Sequence, residues 1–192
     1  MVTSESIAAV LDDLFFAIWF FLPAGIANAT PVIANRIPVL KQWKTPMDFG
    51  RSYRGKRIFG ANKTWRGLVF SSFIAGIVGL ITYLVYDNYF TNLGLFPSQP
   101  ATAAFLIGSL LGFGALLGDA IESFFKRQLG KNPGQLWFPF DQIDFIIGAL
   151  IIISPVVLLS IQQIIMVFVV WFVSHLMWAY IGYRLKLKDS PI

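Results

Sequence analysis

No cysteine occurs anywhere in the 192 residues, and histidine occurs once, at His175. Disulfides, thiolate metal sites and thiol nucleophiles are therefore excluded. A metal held by this chain would use oxygen ligands, which favours a hard ion, Mg²⁺ before Zn²⁺. Charge is also scarce. Only 13% of residues are Asp, Glu, Lys or Arg, against 56% hydrophobic, and mean hydropathy is +0.68. A soluble domain of this size cannot hide so much apolar surface, so the bilayer is the expected solvent. A GxSxG elbow, an HExxH pair, long heptads and an internal repeat are all missing. The first apolar run lacks a basic flank and carries Asp12 and Asp13, which argues against a cleavable signal peptide. Those two acids have an ordinary reading as outer-interface charges near a helix N-terminus.

What is present is a set of long apolar runs. They predict an all-α integral membrane protein, a single polytopic domain over 1–192 with five transmembrane helices. The spans fall roughly at 7–33, 68–86, 101–125, 142–160 and 164–183, with Gln162 and Gln163 marking a tight turn before the last. Pro23 falls within the first span and Pro155 within the fourth. The third span has Gly108, Gly112, Gly114 and Gly118 at near four-residue spacing, a pattern that permits close helix packing.

The net charge of +5 suits nucleic acid, anionic lipid or an anionic substrate, and the placement of the cations decides among them. Nine of the fifteen Lys and Arg lie in 36–66, three in 126–131 and three in 184–188, while Asp87–Pro100 has none. With five spans all three basic segments fall on one side. The positive-inside rule then puts the N-terminus outside, the C-terminus in the cytosol, and a long basic cytosolic loop between helices 1 and 2. The expected location is the cell membrane, multi-pass, with the active site at the cytosolic face. Membrane lipid is the expected surroundings and nucleic acid is not an expected partner. No feature fixes an oligomeric state.

Two stretches concentrate the chemistry. Gly60–Gly67, GANKTWRG, looks like a turn leading into a helix, where backbone N–H groups and Lys63 can cradle phosphate. It is not a Walker A loop, since Ala61 and Asn62 separate Lys63 from the glycine. The basic loop as a whole also has a bland reading, topology plus attraction to anionic headgroups. In Gly118–Asp144, Asp119 and Glu122 are three apart and share a helix face, as do Asp141 and Asp144. Ser123 and Lys126 continue the stripe of Asp119, and Arg127 and Lys131 follow. A carboxylate near the bilayer centre costs on the order of 2.5–3.5 kcal/mol. Two such pairs at helix ends that can face each other point to a cation-binding centre. Each pair has an ordinary alternative: Asp141 as a helix N-cap, Asp119 and Glu122 as interfacial charges paired with Lys126. His175, among Trp171, Trp178 and Tyr180, reads as a packed hydrogen-bonder.

With Ser123, Lys126, Arg127, Lys131, Gly134, Asp141 and Asp144 in this order, the chain resembles the CDP-diglyceride synthase (phosphatidate cytidylyltransferase) family. Gly118, Asp119 and Glu122 match residues just before that signature, and Lys63, Thr64 and Gly67 resemble its earlier cytosolic element. The bacterial His-Gly-Gly is absent, with Phe138, Pro139 and Phe140 in its space, and Asn132 stands where the bacterial type has Asp. The GANKTWRG and PFDQID segments resemble the archaeal branch, the CDP-archaeol synthases.

The resemblance implies a cytidylyltransferase. CTP and a phosphorylated dialkyl or diacyl glycerol would give a CDP-lipid and pyrophosphate by in-line nucleotidyl transfer. It implies Mg²⁺ as cofactor, alone or with a second metal or a monovalent ion. Asp119, Glu122, Asp141 and Asp144 would be metal ligands, and Asp119, Asp141, Asp144 and Lys126 the catalytic set. Asn62, Lys63, Thr64, Arg66, Ser123, Lys126 and Arg127 would bind the phosphates of CTP and lipid. The alternative from another class is a cation or proton transporter with intramembrane carboxylates, although neither a midplane site nor inverted repeats can be read here. A CDP-alcohol phosphotransferase is excluded by the lack of its Asp-Gly-x-x-Ala-Arg run.

Overall fold

A computed structural model describes residues 4–91 and 99–186. Lys188 and positions 92–98 of the cation-free connection lie outside the described residues. The elements are α1 (Ser4–Ala34), α2 (Pro38–Gln42), a hairpin of β1 (Ser52–Tyr53) and β2 (Lys56–Arg57), α3 (Trp65–Tyr89), α4 (Ala101–Gln128), α5 (Phe140–Ile153) and α6 (Ile161–Arg184). The protein is thus mostly helical. Four of its helices, α1, α3, α4 and α6, are long and apolar enough to cross a membrane.

Two expectations change here. The run expected to span 142–160 is a helix of 14 residues that stops at Ile153. At 1.5 Å per residue it is about 21 Å long, short of the roughly 30 Å hydrocarbon core. Pro155 has no N–H to continue the ladder, and residues 154–160 run on without helix. Gln162 and Gln163 are not a turn. Ser160 caps α6 by accepting from the Gln163 N–H at 3.1 Å, while Gln163 Oε1 accepts from the Ser160 N–H at 3.0 Å, a capping box. Helix α1 runs unbroken through Pro23 and Pro31.

Small residues set how the helices meet. Between α3 and α4, a Cβ added to Gly108 would sit 2.5 Å from the Ala75 carbonyl oxygen. Around that contact lies a core of Phe21, Leu111, Leu116, Phe145, Ile146 and neighbouring alanines. Helix α6 is fastened to α1 by Trp171, whose indole N–H donates to the Ala17 carbonyl at 2.9 Å. The outer faces carry exposed Ile151, Ile161, Val169 and Trp178, an apolar coat suited to lipid.

The basic connection is ordered by a few polar contacts. Its ends pair: the Met47 N–H donates to the Lys63 carbonyl at 2.7 Å and the Trp65 N–H to the Thr45 carbonyl at 3.1 Å. Lys56 Nζ donates to the Gln128 carbonyl at 2.7 Å, and the Tyr53 ring meets Phe124 at 6.2 Å. Both contacts hold the hairpin against the last turn of α4.

Candidate active site

Helices α4 and α5 touch backbone to backbone where the acids sit. A Cβ on Gly118 would lie 2.2 Å from the Asp144 carbonyl oxygen, and one on Gly148 would lie 2.3 Å from that of Gly114. Glycine at these positions is what lets the two carboxylate pairs converge. Carboxylate oxygens of Asp119, Glu122 and Asp144 come within 4.8 Å of one another. Glu122 is buried, and its Oε1 is ion-paired with Lys126 Nζ at 3.2 Å. Three oxygen-bearing acids this close together fit a hard cation.

Asp141 stands apart from that trio. It is ion-paired with Lys126, and its Oδ2 accepts from the Trp137 N–H at 2.7 Å. The N-cap of α5 is Pro139, so Asp141 satisfies the preceding loop rather than capping the helix. Lys63 arrives from the basic connection and donates to both Asp119 oxygens at 2.6 Å.

These groups share one cavity of about 870 Å³. Its walls include Asn62 and Lys63, then Asp119, Glu122, Ser123, Lys126 and Arg127 of α4, and Asp141 and Asp144 of α5. Arg127 contributes a guanidinium whose Nε is buried and unpartnered. Four formal negative charges thus face three positive ones. A bound divalent cation would turn that balance positive, which two phosphorylated reactants require.

Two residues expected to bind phosphate have other partners and do not line the cavity. Thr64 is the N-cap of α3, its hydroxyl accepting from the Gly67 N–H at 3.2 Å. Arg66 is only 5% exposed. It donates to the Leu40 carbonyl at 3.0 Å and pairs with the Asn35 side chain, tying α3 to the end of α1. The turn-into-helix reading of GANKTWRG holds, with Gly60 at φ +100° and α3 opening at Trp65.

Four polar residues lining the cavity were not read from the sequence as site residues: Asn28 of α1, Gln135 of the loop before α5, Gln142 of α5 and His175 of α6. Gln142 is 2% exposed with Oε1 unpartnered, and the His175 ring lies 5.9 Å from that of Phe145. For Asn28, Gln142 and His175 the signal available was a lone amide or imidazole within an apolar run. Asp48 was noted only as the single acid of the basic connection. It is 4% exposed. Burial pushes its carboxyl up, but the Arg57 guanidinium and the backbone N–H groups of Gly60, Gly50 and Phe59 outweigh that and hold it at about 2, below the ordinary 3.8.

The chain is similar to known proteins along most of its length. A family model described as CarS-like, CDP-archaeol synthase, matches residues 10–192. The CDP-archaeol synthase of Thermococcus onnurineus is 37% identical over 182 residues, covering 94% of this chain and 98% of that protein. The CDP-archaeol synthase of Archaeoglobus fulgidus is 37% identical over 190 residues, covering 95% and 99%. A solved structure described as an intramembrane enzyme for archaeal membrane lipids biosynthesis superposes with a TM-score of 0.67 at 29% identity, covering 84% of this chain and 90% of that one.

Proposed function

The chain belongs to the CDP-archaeol synthase (CarS-like) family, and from that premise we propose how its cavity makes a CDP-activated lipid. It is a membrane cytidylyltransferase of lipid biosynthesis that uses CTP. The transporter alternative is not favoured by any of these relatives.

The substrates are CTP and a dialkyl glycerol phosphate of the archaeal type, and the products are the CDP-lipid and pyrophosphate. A non-bridging oxygen of the lipid phosphate attacks the α-phosphorus of CTP. The bond from that phosphorus to the bridging oxygen breaks, and the electron pair leaves with pyrophosphate. The attacking oxygen is already ionised at neutral pH, so no general base is needed. The protein's work is to bring two anions together and hold them in line.

Lys63 and Asn62 take the triphosphate. Lys126, Arg127 and Ser123 hold the lipid phosphate and the departing pyrophosphate. Thr64 and Arg66 act at one remove, by starting α3 and fixing it to α1. Asp119, Glu122 and Asp144 would hold magnesium, which would supply charge neutralisation to the reacting phosphates. Asp141 orients Lys126. The observation that carries this reading is the meeting of three carboxylates within 4.8 Å beside Lys63, Lys126 and Arg127 in one cavity.

The chain forms a single polytopic domain, N-terminus outside and C-terminus cytosolic, with the cavity at the cytosolic headgroup level. The cation distribution supports that orientation. Five crossings are supported by residues 156–159, which line one cavity with Ala103 and Ile107 of the first turns of α4. Helix α5 and the segment after it together traverse the bundle. CTP enters from water and the lipid from the side, its tails leaving between helices.

The test is pyrophosphate release by the purified chain in detergent, with each nucleoside triphosphate, with and without a dialkyl glycerol phosphate and Mg²⁺. Release that depends on both CTP and lipid is expected. No lipid-dependent release from any nucleotide would overturn the reading.

A further inference from the structure

Asp48 is buried although it lies in a loop crowded with exposed cations, and its carboxylate is surrounded by donors. Oδ1 accepts from the Gly50 N–H at 3.0 Å and from Arg57 Nη2 at 2.6 Å. Oδ2 accepts from Arg57 Nε at 3.2 Å, from the Phe59 N–H at 3.1 Å and from the Gly60 N–H at 3.0 Å. Charge-assisted bonds of this kind are the strong ones, and here three of the five go to backbone. The acid itself does not line the cavity, but Phe59 through Lys63 do. Just beyond the anchored turn, the Lys63 carbonyl accepts from the Met47 N–H at 2.7 Å, and Lys63 Nζ reaches Asp119. One carboxylate therefore fixes the backbone leading directly to a cavity lysine.

We propose that Asp48 is a positioning residue for the nucleotide, anchoring the turn at Phe59 and Gly60 and so setting where Asn62 and Lys63 meet the triphosphate. This rests on the reading above that Asn62 and Lys63 hold that group. Such an anchor matters because a binding turn that is not pre-organised must be ordered when the ligand binds, which weakens affinity. Asn at this position keeps the size but turns an amide N–H₂ toward backbone N–H groups, so the turn loses an acceptor. Among the described residues, the hydrogen bonds of the Asp48 carboxylate all stay within its own loop, on Gly50, Arg57, Phe59 and Gly60, and none goes to the acids of α4 and α5. A nucleotide-selective defect therefore separates positioning from general damage.

The experiment uses the full chain in detergent, with CTP varied at saturating dialkyl glycerol phosphate and the reverse. In parallel, trypsin cleavage at Arg51, Arg54, Lys56 and Arg57 is timed by gel. Asp48→Asn is expected to raise KM for CTP about 10-fold or more, with kcat and KM for the lipid within about 3-fold, and to speed hairpin cleavage. Arg57→Gln leaves the three backbone bonds in place, so it should raise KM for CTP by a smaller factor. Wild-type KM for CTP in Asp48→Asn, or equal rises in both KM values, overturns the proposal. Should Asp48→Asn fail to fold, Arg57→Gln decides: faster cleavage with an unchanged KM for CTP overturns it. A wild-type chain that turns over no CTP sinks the function above instead, so the two failures are distinct.

Discussion

Helix α4 uses the same device on two sides, with different results. Toward α3, Gly108 lets backbones touch and nothing but packing follows. Toward α5, Gly118 does the same one step from Asp119 and directly against the Asp144 carbonyl. Close approach is thus a packing solution on one face and a way of assembling charge on the other. What separates the faces is the identity of the next residue, Asp119 beside Gly118 against Ser109 beside Gly108.

The contrast can be tested from its strongest claim downward. Asp144→Asn removes a carboxylate from the trio and should cut CTP- and lipid-dependent pyrophosphate release by roughly 10²–10³-fold while the bundle stays folded by circular dichroism. Gly118→Ala, whose Cβ would meet the Asp144 carbonyl at 2.2 Å, should lower kcat of the folded fraction about 100-fold, with a stability loss at least as large as that of Gly108→Ala. Gly108→Ala is its mirror, expected to cost on the order of 1–3 kcal/mol in stability with kcat of the folded fraction near wild type. Equal activity losses in the two alanine variants would erase the distinction. Lys63→Met should raise KM for CTP more than KM for lipid, by about 10-fold, read from the same assay.

The smallest effect expected concerns pH. The folded-state pKa of Asp48, about 2, lies below its ordinary 3.8. Its contribution is therefore complete above the ordinary value and lost as pH falls through the folded one. Protease resistance of the 48–60 loop, measured with an acid protease after brief pH steps, should be flat from pH 7 to about 5 and drop only below the ordinary carboxylate range.

The acids were legible because spacing of three on a helix is a local fact, needing no knowledge of the partner. Of the four acids singled out by that spacing, Asp119, Glu122 and Asp144 come together, while Asp141 pairs with Lys126. Arg66 was not legible. It stands two residues after the N-cap Thr64, and the first turn of α3 swings it toward Asn35 and the Leu40 carbonyl. A basic motif reports composition, and the helix phase decides which cation faces the cavity. The length of α5 was hidden for a different reason. Val156–Leu159 keep the hydropathy high after Pro155 has ended the helix, and a hydropathy window registers greasiness rather than an interrupted ladder. Asn28 and Gln142 are single amides in apolar runs, and their place on one cavity wall depends on tertiary contacts among α1, α4 and α5 that no local pattern records.

The brevity of α5 carries a consequence for the surrounding lipid annulus. A membrane segment shorter than the hydrocarbon layer is matched by thinning of the bilayer beside it. Residues 154–160 complete the crossing that the α5 helix alone leaves short, and a leaflet drawn inward beside the helical part would bring a lipid phosphate closer to the carboxylate junction. Vesicles of thicker bilayers should accordingly slow the reaction by raising KM for the lipid, leaving KM for CTP where it was.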